Sequence, residues 1–348
     1  MRRKPRQTRR GERYGLDRSP FAQKPTQREV ASLLGESRDN LRRLVNYKEQ
    51  FIIRRQAVTG KKSKIRDLAY PDGRLRAVHE RMKFHLNKII LPNYLFSPRR
   101  NRGQRDNAAE HLDQEQFLTL DLKKFYPSTT AAMVKRWFKD KLGMQADVAG
   151  LLTHLFTIDG RVSFGSPLTP VLCALLHQPM FDQIAAICDA RGLRYSVWVD
   201  DVTISGKFVP GEVLRQIRDV VRAHGLKSHC IAYRSGNKPV YVTGIGVVGR
   251  HLVAPNSLNK KIKEEWDEYH SRAVTDDERD VVAQRLLSYL GTVRHICGSN
   301  SEAGRKASSQ MNTLRQERDA RQRAAQRVWL KKLAERSAPA VPEAEIPW

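Results

Sequence analysis

The chain has 348 residues, 40% of them apolar, enough for two or three packed units, and no run of about 18 apolar residues that would argue for a membrane span. Lys and Arg outnumber Asp and Glu by 63 to 37, a net +26, and residues 1–105 hold +20 of that excess. A field so strong and so lopsided calls for a polyanionic partner. Nucleic acid is favoured over an anionic membrane surface, because no amphipathic anchor accompanies the charge.

The basic N-terminus is not followed by an apolar segment, so no secretory signal is expected. Cys173, Cys188, Cys230 and Cys297 are widely spaced without a CxxC pair, which argues against a zinc site or a disulfide framework and for a reducing cytoplasm. Residues 1–25, Arg-rich with scattered Pro and Gly, read as a basic flexible arm. Two short helices follow, N-capped by Thr26 and Ser37, with Val30, Leu33, Leu34 and Leu41, Leu44, Val45 as their apolar faces. Alternation around Phe51–Ile53 and Ile65–Leu68 predicts a hairpin near Thr59-Gly60, its loop carrying Lys61, Lys62 and Lys64.

From about residue 106 the texture changes to buried strands and helices. FLTLDL (117–122) reads as a strand. Thr130 to Leu142 reads as a helix stopped at Gly143, and Val171 to Ile187 as a buried helix bent at Pro179. YSVWV and VTIS make two β-rich runs separated by Asp200-Asp201, and an amphipathic helix over Val213–Val221 ends at Gly225. Strands near 227–233, 239–248 and 251–253 complete an α+β layer. After Pro255 the pattern is helical over roughly 257–270, 276–297 and 303–336, with ten basic and three acidic residues between Arg305 and Arg336; residues 337–348 read as a loose tail.

The chemistry-bearing signal is Asp200-Asp201, read as the two-residue tip of a hairpin. Such turns favour Asn-Gly or Asp-Gly, and two adjacent carboxylates fit poorly and repel one another. An isolated pair is more often a solvated turn. Apolar strands on both sides place this one at the edge of a core, where a cation would relieve the repulsion. Asp121 ends another apolar strand and could be a capping residue. Beside Asp200-Asp201 it would complete a hard-oxygen site for two Mg²⁺ ions, with Mn²⁺ as a substitute. GSPLTP (165–170) alone is a stiff entry to a helix.

Taken together, Asp121…Gly165-x-Pro…Asp200-Asp201 resembles the palm of reverse transcriptases. LTLDLKKFYPS is similar to that family's first catalytic block, WVDD to its YADD-like hairpin, and RDLAYP (66–71) to its R-x-I-x-x-P strand. NAAEH (107–111) and VTG (242–244) resemble the NAxxH and VTG boxes of bacterial retron reverse transcriptases, and LLSYLGTVRHI (286–296) the helix that opens their thumb. Read without that resemblance, NAAEH is a capping box and VTG a strand edge.

The resemblance implies an α+β right-hand fold: fingers at 26–105, a palm at 106–254 and a helical, RNA-binding thumb at 255–336. It implies catalytic Asp121, Asp200 and Asp201, with Leu122 joining them among the metal-ligating positions. It further implies a nucleotide site of Arg66, Phe125, Tyr126, Gly165 and Pro167, Tyr126 being the gate against ribonucleotides. RNA recognition would fall to Asn107, His111, Val242, Thr243 and Gly244. The implied activity is RNA-directed DNA synthesis from dNTPs on a cognate structured noncoding RNA, primed from an RNA 2′-hydroxyl. The product is branched RNA–DNA (msDNA), used in antiphage defence with a separate effector protein. Another bacterial reverse transcriptase, of group II intron or abortive-infection type, and a catalytically dead RNA-binding scaffold are the alternatives. Departures from the family pattern are WVDD itself, Phe164, Leu168 and Thr169 in the loop block, and LKSHCIAY (226–233), which lacks the N-x-x-K pattern and so leaves the proton donor to pyrophosphate unassigned.

Overall fold

The computed structural model describes residues 12–337, apart from 60–63, 236–237, 272 and 274. Side chains at 58, 59, 64–66 and 334–337 are also outside the described set, as are residues 1–11 and the tail from 338. The chain forms two compact units, Met1–Thr243 and Gly244–Trp348.

The first unit opens with α1 (Gln27–Leu33) and α2 (Arg38–Asn46). Thr26 caps α1 in a reciprocal box with Glu29, and Ser37 caps α2 through the Asn40 N–H. The β1 (Ile52–Thr59) and β2 (Lys64–Pro71) hairpin follows, its turn lying outside the described residues. Next come α3 (Gly73–Leu86), β3 (Leu95–Ser97), α4 (Gln104–Ala109), β4 (Gln116–Leu122), α5 (Phe125–Ser128), α6 (Ala131–Asp140) and α7 (Ala146–Phe156). α8 (Thr169–Leu176) and α9 (Gln178–Asp189) meet at 57°. They are one apolar run broken at His177, because Pro179 in the first turn of α9 has no N–H with which to continue α8. β5 (Arg194–Trp198), β6 (Asp201–Gly206), α10 (Gly211–Ala223), β7 (Ser228–Ser235) and β8 (Val240–Val242) complete the unit.

One five-stranded sheet, in the order β3-β5-β6-β4-β7, organises it. All its pairings are antiparallel except β3 with β5. A single apolar core runs from Tyr14 to Leu226, so the expected division between fingers and palm near residue 105 is not a division between cores.

The reading of residues 1–25 as a loose arm needs correction from residue 12 onward. Tyr14 is buried, donates its N–H to the Lys88 carbonyl and its phenol O–H to the His85 carbonyl, and accepts from the Ile90 N–H. Phe21 is fully buried, its ring edge-on to His85. Complete burial of one such ring stabilises by roughly 1.5–3 kcal/mol, enough to pin a basic segment whose average composition looks unstructured.

The second unit begins before the expected boundary at 255. β9 (Ile245–Val248) and β10 (His251–Val253) form an antiparallel hairpin, and Ala254 joins a core supplied by α11 (Asn256–Tyr269), α12 (Asp276–Cys297) and α13 (Glu302–Ser337). Thr275 and Glu278 cap α12 reciprocally. Gly304 is required at the start of α13, because a Cβ there would lie 1.9 Å from the Gly298 carbonyl oxygen. Among the described residues no single helix is long and apolar enough to cross a membrane, and the bent α8–α9 pair is core.

Candidate metal and nucleotide site

Three strands converge on three carboxylates. Trp198 pairs with Asp201, so the two-residue connection between β5 and β6 is Val199-Asp200, one residue earlier than expected. Asp201 is the first strand residue rather than a turn residue. Val199 takes the left-handed conformation (φ +61°), which a β-branched side chain adopts only at a cost of about 1–3 kcal/mol. The strain is paid at the tip that carries the carboxylates.

On the far side of β6, β4 pairs Asp121 directly with Asp201, and the Leu122 N–H donates to the Asp200 carbonyl at 2.9 Å. Carboxylate oxygens of Asp121, Asp200 and Asp201 come within 4.8 Å of one another. Burial, and then the charge of Asp200, pushes the Asp121 carboxyl up to about 6, and the same two causes in the same order push Asp201 up to about 6. Asp121 Oδ1 is buried without any hydrogen-bond partner. An orphaned anionic oxygen in a repulsive all-oxygen cluster fits a hard divalent cation. A leucine side chain offers no donor atom, so position 122 could serve a metal only through its backbone.

The hairpin is braced from inside. His111 is fully buried, with Nδ1 2.7 Å from Ser205 Oγ on β6 and Nε2 2.7 Å from Ser196 Oγ on β5. Burial lowers its pKa to about 3, so the ring is neutral, and one ring nitrogen then donates to its serine while the other accepts. Asn107, one turn earlier, is buried and donates through Nδ2 to Thr243 Oγ1 at 3.4 Å. The expectation that Asn107, His111 and Val242 contact RNA is therefore corrected: their side chains are sealed in the core. Of the five, only Thr243 and Gly244 reach solvent, in consecutive left-handed conformations (φ +47° and +85°).

The nucleotide residues also divide. Phe125 is buried against His177 and Phe181 and is a core residue, which corrects its place among the binding residues. Tyr126 is half-buried, packs edge-on to Phe164, and lies close enough to Asp200 for that charge to add to the rise in its phenol pKa, which burial dominates. Gly165 is exposed with φ +83°, and a Cβ there would sit 3.1 Å from Tyr70 Cβ on β2. Pro167 is half-exposed beside it. The loop is anchored by Ser166, whose hydroxyl donates to His79 Nδ1 at 2.7 Å, since His79 Nε2–H is committed to the Leu155 carbonyl. Arg66 lies on β2 opposite Ala57, and its side chain is outside the described residues.

Two features went unread in the sequence. β3, paired parallel to β5 through Ser97 and Trp198, runs into the basic stretch Arg99, Arg100, Arg102, where Arg99 folds back to donate to the Pro92 carbonyl and Asn93 Oδ1 and Arg102 lies over the Phe96 ring. On β7, His229 lies opposite Asp121, Nδ1 donating to the Asp121 carbonyl at 3.1 Å and Nε2 3.6 Å from Asp121 Oδ2.

No family model matches the chain. Curated relatives do. The retron Se72 reverse transcriptase of Salmonella heidelberg is 28% identical over 177 residues, 51% of this chain and 47% of the relative. The retron Ec86 reverse transcriptase of Escherichia coli is 26% identical over 168 residues, 47% and 52% of the two chains. The chain resembles retron reverse transcriptases. A third member of that group, the retron Mx65 reverse transcriptase of Myxococcus xanthus, is 28% identical over 207 residues, 52% of this chain and 47% of its own. The matched stretches thus span about half the length of these retron enzymes. Among solved structures, the foamy viral protease–reverse transcriptase in complex with double-stranded DNA covers 71% of this chain and 38% of its own at 14% identity, with a TM-score of 0.40.

Proposed function

We propose that this chain is an RNA-directed DNA polymerase of the retron type. The observation that carries the reading is the convergence of Asp121, Asp200 and Asp201, with one buried oxygen left without a partner, in a chain similar to retron reverse transcriptases. Bound there, a pair of Mg²⁺ ions, or Mn²⁺ in their place, would activate a primer hydroxyl and stabilise the departing pyrophosphate. Asp121 and Asp201, raised by burial and by the neighbouring charge of Asp200, hold the position at which that charge is needed. Tyr126 sets a wall under the sugar of an incoming dNTP, Gly165 and Pro167 shape the loop facing it, and Arg66 meets its phosphates.

In this reading residues 26–105 act as fingers, 106–254 as palm and 255–336 as thumb. The net +26 would hold a cognate noncoding RNA by phosphate and shape contacts. Synthesis starts from an RNA 2′-hydroxyl and gives msDNA in the cytoplasm, for antiphage defence through a separate effector. The test is to express the protein with its flanking locus and sequence what co-purifies. Branched RNA–DNA is expected with the wild type. The Asp200→Asn, Asp201→Asn double variant should keep the RNA and lose the DNA. Wild-type protein that extends generic primers but carries no branched product would be a different bacterial reverse transcriptase, and protein that binds RNA without any synthesis would be a scaffold.

A further inference from the structure

β7 departs from regular strand geometry where it passes Asp121. The register with β4 slips between Thr119, which faces Ala232, and Asp121, which faces His229, so β7 carries one extra residue there. Cys230 lies in that bulge with φ +52°. In a regular strand, neighbouring side chains point to opposite faces, and a bulge abolishes that alternation. As a result, His229 and Cys230 present ligand atoms to the same point. Asp121 carboxylate oxygen, a His229 ring nitrogen and Cys230 Sγ all lie within 4.8 Å of one another.

We propose that Asp121, His229 and Cys230 form a second metal site, selective for Zn²⁺ or another thiophilic divalent ion, that borrows Asp121 from the catalytic set. Its donor set is carboxylate, imidazole and thiolate, which prefers Zn²⁺ to Mg²⁺, whereas Asp121 with Asp200 and Asp201 offers oxygen alone. The imidazole is already oriented for this role. Its Nδ1–H is committed to the Asp121 carbonyl, the outer contact that metal-binding histidines make, and Nε2 faces Asp121 Oδ2 at 3.6 Å. Cys230 is exposed and reduced, so an ion can reach it from solvent. Three protein ligands leave a fourth position for water, and binding releases the thiol proton to solvent. One carboxylate serves two ions of different chemistry, so occupation of this site removes a ligand from the other. That consequence for synthesis rests on the polymerase reading; the site itself does not.

The probe is Co²⁺, which reports a thiolate ligand by a near-ultraviolet charge-transfer band, followed by Zn²⁺ titration of the full chain. Wild type should show the band, and Zn²⁺ should bleach it at one equivalent. Cys230→Ser, on an exposed edge strand outside the catalytic set, should abolish it and weaken Zn²⁺ binding by more than the roughly 10- to 100-fold that outer-shell partners contribute. His229→Gln should weaken binding comparably with the band retained but shifted. In primer extension at saturating Mg²⁺, Zn²⁺ should inhibit wild type and leave Cys230→Ser at least about tenfold less sensitive. No charge-transfer band, or a band indifferent to Cys230→Ser, overturns the site. Equal Zn²⁺ inhibition of both proteins overturns its coupling to Asp121. Absence of synthesis from every variant counts against the polymerase reading, while the spectrum still decides the site.

Discussion

Replacing His111 by Gln should make the stability curves of variant and wild type cross as pH falls. The imidazole spans the two hydroxyls of Ser196 and Ser205, one as donor and one as acceptor, and a glutamine amide offers the same pair of functions on a similar reach. At pH 7.5 the exchange should therefore cost only about 1 kcal/mol. The difference lies in protons. In the unfolded chain the imidazole takes one up below about 6.5, whereas in the fold it stays neutral down to about 3. Its depressed folded-state value means that stability is fully present above about 6.5 and is lost as pH falls below it. By pH 4.5 wild type has lost about 2.7 kcal/mol on this account, two pH units at about 1.36 kcal/mol each. The Gln variant has no such group and should be the more stable protein there by about 1–2 kcal/mol. Comparing two proteins removes the background, since His79 and His177 (about 4 and about 3) push the same way while Asp121 and Asp201 push the other. Urea unfolding followed by circular dichroism at pH 7.5, 6.0 and 4.5 measures it. A gap between the two proteins that does not change with pH would refute the neutral, doubly bonded ring. His111→Leu is the control: it strands two buried hydroxyls and should lose about 2–6 kcal/mol at pH 7.5, a deficit that narrows on acidification by the same amount as for Gln because it too lacks the titrating ring.

Other outcomes follow from the same geometry. Asp121→Asn should abolish DNA synthesis yet raise thermal stability in chelator at pH 7.5 by about 1–2 kcal/mol, because a carboxyl held near 6 is penalised for its charge above that pH; a lowered melting temperature would show the carboxylate to be net-favourably paired. Tyr126→Ala should raise incorporation of ribonucleotides relative to deoxyribonucleotides, and an unchanged ratio in competition assays would remove Tyr126 as the gate. Gly165→Ala forces a left-handed Ala, about 1–2 kcal/mol, and pushes Tyr70; the expected readout is a higher KM for dNTP with kcat less affected, and an unaltered KM would detach this loop from the nucleotide.

Much of the α+β architecture could be read from local pattern, and its failures are specific. The three C-terminal helices fall within a residue or two of their expected ends because amphipathic period and the Thr275–Glu278 box are local signals. The aspartate turn lies one residue earlier than the pattern suggests, since VWV and VTI are apolar on both sides and fit either loop; only the pairing of Trp198 with Asp201 decides. Phe125 and Tyr126 are adjacent aromatics, and which one faces the core depends on His177 and Phe181, some fifty residues away. The role of His111 is not legible in the sequence, because its partners are two serines on distant strands, which no spacing within NAAEH can announce. The convergence of His229 and Cys230 on Asp121 depends on a bulge, and a bulge breaks the very alternation by which strands are read.

The pairing of β4 with β6 sets an order in which the carboxylates can meet during folding. β5 and β6 are joined by two residues and can form within microseconds, so Asp200 and Asp201 come together early and locally. Asp121 joins them only when a strand about eighty residues upstream inserts between β6 and β7. Loop closure over that distance is entropically costly, and the arriving strand adds a third negative charge to a site that already repels. The sequence separation therefore predicts that the ion-binding cluster forms late, and divalent cations present during refolding should speed its last phase by screening the approach of β4 rather than by stabilising the hairpin that precedes it.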